Sequence, residues 1–214
     1  MELIIKPGIT KIPNDKYKLL TGYSSVIIPS GVIEIGNSSF KGSDFEELIL
    51  PPGIKKINSG AFFDCTKLKK LEISEGIESI GIFGFAGCTS LSSISIPEGI
   101  KYIGDYAFSD SFKLKELFLP DSLEEINRHA FSQCLSLGRV ILPKNLKIIH
   151  DDAFKHCVKL KNIYIPSSVS KIGMYAFGGC KGLEVTIDNS RGNMTIENGA
   201  FDGCKNIIFL KDGN

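Results

Sequence analysis

Apolar residues separated by a single residue recur along this chain at Leu71/Ile73, Ile94/Ile96, Leu117/Leu119, Val140/Leu142 and Ile163/Ile165. A period of two is that of a strand with one face buried. Proline follows each of the later pairs, at 97, 120, 143 and 166, with Pro29 and Pro51 earlier. Proline cannot donate to a strand ladder, so each strand ends there. Pro-Ser-Gly at 29–31, Pro-Pro-Gly at 51–53 and Pro-Glu-Gly at 97–99 then read as turns, with glycine free to take positive φ.

The strands share a larger ruler. Phenylalanines in one role stand at 40, 62, 85, 108, 131, 154, 177 and 201, spaced 22 to 24 residues apart. An isoleucine precedes each by five residues, and Val32, Ile54, Ile77, Ile100, Leu123, Leu146 and Val169 form a second apolar column upstream. A strict period of this size predicts a solenoid, each repeat being one coil that cannot bury its apolar side alone. The Ala-Phe-x-x-Cys-x-x-Leu phrase spaces its apolar residues three apart, which predicts a short helical or 3₁₀ turn opposite the strand.

The same offsets place Tyr17 in the phenylalanine slot of a degenerate first coil, residues 1–22, with Leu3 and Ile5 as its strand. The last coil, 184–214, is irregular: Asp188–Asn193 reads as a longer loop and Ile207–Leu210 as a closing strand. The register runs unbroken, so residues 1–214 are expected to form one domain of about nine coils.

The phrase Leu-x-x-Ile-x-Ile-Pro-x-x-Val-x-x-Ile-Gly-x-x-Ala-Phe-x-x-Cys resembles the leucine-rich repeats of the BspA-like (Treponema pallidum-type) family. Ile103-Gly104 with Ala107-Phe108, and Ile172-Gly173 with Ala176-Phe177-Gly178-Gly179-Cys180, carry it closely. The resemblance covers nearly the whole chain. It implies a curved, right-handed solenoid with a parallel sheet on its concave side. It also implies a surface or secreted protein that binds other proteins, of the host or of the cell, as an adhesin does. Met1–Pro7 has neither a basic n-region nor a sustained apolar run, so no signal peptide is expected there and the cytoplasm stays open as a compartment.

Composition narrows the function further. The 25 basic and 24 acidic residues are mixed along the chain, leaving a net charge of +1, with no basic face for a nucleic-acid backbone. No apolar run reaches the ~18 residues that span a bilayer. Cysteines 65, 88, 134, 157, 180 and 204 each stand three residues after the ruler position, where Leu20, Ser43 and Ser111 substitute in other coils. That slot reads as a buried thiol ladder in preference to disulfides or a metal site. His129, His150 and His156 fall in two adjacent coils near Asp151 and Asp152, and read as solvated surface in preference to a metal or pH-sensing site. Asn37-Ser38-Ser39 and Asn193-Met194-Thr195 match the glycosylation sequon, a match short enough to arise by chance. No nucleophile elbow, phosphate loop or dinucleotide glycine pattern occurs, so no catalytic residue, cofactor or metal is assigned and an enzyme is not expected.

The informative column is the outward residue between each buried pair: Ile4, Ile27, Ile49, Glu72, Ser95, Phe118, Ile141, Tyr164 and Thr186. Phe118, Ile141 and Tyr164 form an apolar stripe flanked by Arg139 and Asn162, side-chain types found at protein-binding hot spots. Ile4, Ile27 and Ile49 form a second patch. The alternative is that strand propensity alone places these residues there. The N-terminal strand edge is also open to pairing with a second molecule, which leaves an assembly role through the chain ends as the competing reading.

Overall fold

A computed structural model describes residues 1–211. Two columns of parallel strands alternate along the chain. The longer strands run from Glu2–Ile4 through Glu47–Leu50, Glu116–Phe118 and Arg139–Ile141 to Asn162–Ile165 and Asn206–Phe209. Two-residue strands, from Lys11–Ile12 to Thr195–Ile196, form the second column. Every strand pairs with the equivalent strand one coil away, as Leu117 does with Ile94 on one side and Val140 on the other. The architecture is a β-solenoid of about nine coils, with the phase read from the phenylalanine ruler.

The core is the stack of constant positions. Phe40, Phe62, Phe85, Phe108, Phe131, Phe154 and Phe177 are fully buried, and successive rings lie face to face at 4.9–5.6 Å with interplanar angles of 3–13°. Tyr17 stacks on Phe40 at 5.2 Å and Phe201 on Phe177 at 5.6 Å, so the first and last coils join the same column. All six cysteines are free thiols. Each donates its S–H to the carbonyl of the ruler residue in the preceding coil, from Cys65 to Phe40 at 3.2 Å through Cys180 to Phe154 at 3.1 Å. Burial pushes the Cys65 thiol up to about 12 and raises Cys88 and Cys157 with it. Ser43 makes the equivalent bond to Tyr17 at 2.9 Å, whereas the buried hydroxyl of Ser111 has no partner.

The turn opposite the long strands is not the helical turn that the spacing predicts. The only helix among the described residues is a single 3₁₀ turn, Arg191–Asn193, in the long loop of the last coil. Around each ruler position the chain instead carries left-handed residues four apart. Positive φ recurs two residues before it (Phe83, Tyr106, His129, Asp152, Tyr175) and two after it (Asp64, Asp110, Gln133, His156). With this backbone every second N–H points toward the next coil. Gly60, Phe62 and Asp64 donate to the carbonyls of Ile82, Gly84 and Ala86 at 2.8–2.9 Å, while Ala61, Phe63 and Cys65 close turns to residues three earlier. A helix would satisfy these groups internally and leave the coils unjoined on this side. The inter-coil bonds offset the cost of left-handed backbone at bulky residues, about 1–2 kcal/mol each.

Candidate functional site

The outward residues of the long strands fall into two rows. Ladder pairing sets Glu116 beside Arg139, and Phe118 beside Ser95 on one side and Ile141 on the other. Tyr164 follows in the next coil and pairs with Thr186, which pairs with Ile208. The period of two turns Phe118, Ile141 and Tyr164 outward on successive coils, with Phe118 and Ile141 paired in one ladder and Tyr164 in the next, and Ile141 and Tyr164 each about half exposed at 53% and 52%. Their backbones are held in the sheet, so the apolar groups are presented on a rigid surface.

Polar groups orient the aromatic residues. The Arg139 guanidinium lies 5.8 Å from the Phe118 ring centroid and 4.0 Å from the Glu116 carboxylate. A cation over the ring face is held by the ring's quadrupole, so Arg139 covers one side of Phe118, which stays 37% exposed. At the other end, the Asp188 carboxylate beside the Tyr164 hydroxyl raises the phenol pKa. Lys211, at 3.1 Å, is the main cause of the lowered Asp188 carboxyl pKa, with Tyr164 adding to it. Asn162 is exposed beside the stripe, one strand from Arg139 in the polar row.

Ile4, Ile27 and Ile49 also lie side by side in register, all exposed, with Glu2, Ser25 and Glu47 in the row beside them. Glu72 and Ser95 separate the two patches. Position alone did not single out Asp188 or Ile208. Asp188 belongs to the loop whose length departs from the repeat, and Ile208 lies beyond that loop, where the ruler no longer counts cleanly. A count from the closing strand, Ile207–Leu210, recovers Ile208 as its outward residue.

The histidines are not simply solvated. His129 stacks on Tyr106 at 4.3 Å and 7°, and its Nε2 lies 3.4 Å from Asp152, the neighbour that its phase predicts. His150 meets Glu125 at 2.9 Å, and His156 packs over Gly179. All three are half-buried; His129 and His156 are left-handed residues packed against the adjacent coil, whereas His150 is held by Glu125. No cluster of three or more metal-ligating side chains occurs among the described residues, and no described helix is long and apolar enough to cross a membrane.

The sequence profile described as "BspA type Leucine rich repeat region" matches six copies over residues 10–138 and 124–211. No curated protein sequence matches significantly. Among solved structures, a leucine-rich repeat protein from Bacteroides ovatus is 30% identical with a TM-score of 0.79, covering 98% of this chain and 63% of its own. The Treponema pallidum leucine-rich repeat protein is 30% identical with a TM-score of 0.69, covering 73% of this chain and 75% of its own. A leucine-rich cell surface protein from Faecalibacterium prausnitzii shares the fold at 24% identity and a TM-score of 0.61, covering 90% of this chain and 61% of its own. This chain thus spans under two thirds of the length of the Bacteroides and Faecalibacterium proteins. Repeat phrase, stacked phenylalanine core and profile agree, and the chain belongs to the BspA-type leucine-rich repeat family.

Proposed function

We propose that this chain is a non-enzymatic binding module that presents the outward face of its long-strand sheet to a protein, as an adhesin-like contact of the host or of the cell. The observation that carries the reading is the row of Phe118, Ile141 and Tyr164, exposed on strands of three successive coils, the first two of them paired, with Arg139 and Asn162 beside it. A sheet surface that faces only water gains nothing from three such side chains in line, whereas desolvating them against a partner is favourable. Phe118 and Tyr164 are the anchors, and Ile4, Ile27 and Ile49 provide a second patch on the same face. A partner isolated with the wild-type chain tests this through the double variant Phe118→Asp/Tyr164→Asp. Both side chains are exposed, so the fold should survive. Affinity should fall by a hundredfold or more, as for loss of two anchors. Unchanged affinity with intact circular dichroism overturns the assignment.

A specific observation favours a second reading, assembly through the coil ends. Met194, Ile196, Phe201, Ile207 and Phe209 line a recess of about 400 Å³ on the last described coil, beneath Arg191. Sedimentation across a hundredfold concentration range distinguishes the two: assembly gives a mass that rises and is abolished by Phe209→Asp, while the binding reading needs neither.

A further inference from the structure

On the side opposite the long strands, the residues two before each ruler phenylalanine form a column of their own: Ser38, Gly60, Phe83, Tyr106, His129, Asp152, Tyr175 and Gly199, the last covered by the Tyr175 ring. Within it Phe83 stacks on Tyr106 at 4.8 Å and 19°, and Tyr106 on His129 at 4.3 Å and 7°. The coil repeat therefore spaces planar rings at stacking distance. At Gly60 the column lacks a ring. One coil step from Phe83 there is instead a notch of about 390 Å³, lined by Ser38, Lys41, Gly60, Phe63, Ile82 and Phe83.

The walls of the notch select its occupant. Phe63 approaches Phe83 only at a tilt, 5.9 Å and 58°, and so does not take the place of a stacked ring. Ile82 and Phe83 are both about 40% exposed, an unusual pair of apolar neighbours to leave in water. The Lys41 ammonium lies 4.8 Å over the Phe63 ring and in the field of the Asp64 carboxylate. Ser38 and Ser59 also line the notch, and the Ser38 hydroxyl lies beside Gly60, within reach of a polar group on an inserted side chain.

We propose that the Gly60 notch is a second protein-contact site, which takes one aromatic side chain of a partner and adds it to the Phe83–Tyr106–His129 stack. The site stands apart from the long-strand face and does not depend on the role assigned to that face. The probe is N-acetyl-tyrosinamide, titrated to tens of millimolar and followed by the amide and methyl resonances of Ser38, Gly60, Ile82 and Phe83. Saturable shifts confined to these residues are expected. Gly60→Tyr supplies the missing ring from the chain itself. A Cβ there meets only Ser38 Oγ at 3.4 Å and Phe63 Cβ at 3.8 Å, and bulky neighbours in the column already adopt the same left-handed backbone. This variant should keep its fold and lose at least tenfold in probe affinity, and Phe83→Ala should do the same by removing the stacking wall. No saturable shift, shifts centred elsewhere, or full affinity in both variants overturns the proposal. So does tighter binding of N-acetylglucosamine than of the tyrosine amide at the same residues.

Discussion

Phe131→Ala strikes the feature that holds the coils together. The ring is fully buried and stacked on both faces, 5.6 Å from Phe108 and 5.5 Å from Phe154. Truncating a buried phenylalanine to alanine costs about 3–5 kcal/mol through lost transfer energy and the cavity left behind. Here the upper part of that range applies, because two ring pairs are lost and each adds about 0.5–1.5 kcal/mol. Phe201 is only partly buried and stacks on Phe177 alone, so Phe201→Ala should cost about half as much. Urea unfolding followed by circular dichroism measures both, with the midpoint shift read at constant slope. A loss at Phe131 under 1 kcal/mol, or equal losses at 131 and 201, would refute the idea that stability is summed along a continuous aromatic column.

Ser111→Cys should stabilise the fold by about 0.5–1 kcal/mol, because a thiol in that slot reaches the Phe85 carbonyl while the present hydroxyl is buried without a partner; thermal unfolding checks it, and a lower midpoint contradicts it. Stability should fall as pH rises from about 9 to 12. Folding raises the Cys65 thiol from an ordinary 9.0 to about 12, so below 9 both states keep the proton and above it only the unfolded chain releases one. The loss is about 1.4 kcal/mol per pH unit for each such thiol, and Cys65→Ser should flatten the profile by that amount. Gly87→Ala should cost about 1–3 kcal/mol, since φ is +72° there and a Cβ would lie 2.2 Å from Asp64 Oδ1. Adding Asp64→Ala should recover only the part due to that clash, which a double-mutant cycle in urea separates.

Most of the fold is legible in the sequence because each coil repeats the same inward residues. Ala130, Phe131, Cys134 and Leu137 are all fully buried in the positions that their phase dictates. The outward row is legible for the same reason, since Ile141 between buried Val140 and Leu142 has one direction left to point. The left-handed backbone is not. Phe83, Tyr106 and Tyr175 are poor residues for positive φ, and they adopt it because the inter-coil hydrogen bonds demand it, a tertiary requirement that no local preference announces. The partial burial of His129 and His156 is hidden for the same reason, since their packing against the adjacent coil follows from that backbone. Asp188 is not legible because it sits where the loop breaks the count, although it lies beside Tyr164 at one end of the candidate stripe.

The central claim is that partners meet the row formed by Phe118, Ile141 and Tyr164. A photo-crosslinking residue placed at Ile141, compared with one at exposed Lys101 away from that row, tests it most directly. With the partner isolated on the wild-type chain, the crosslink is expected at position 141 and not at 101. A bound partner that crosslinks at 101 and leaves 141 untouched would contradict the account.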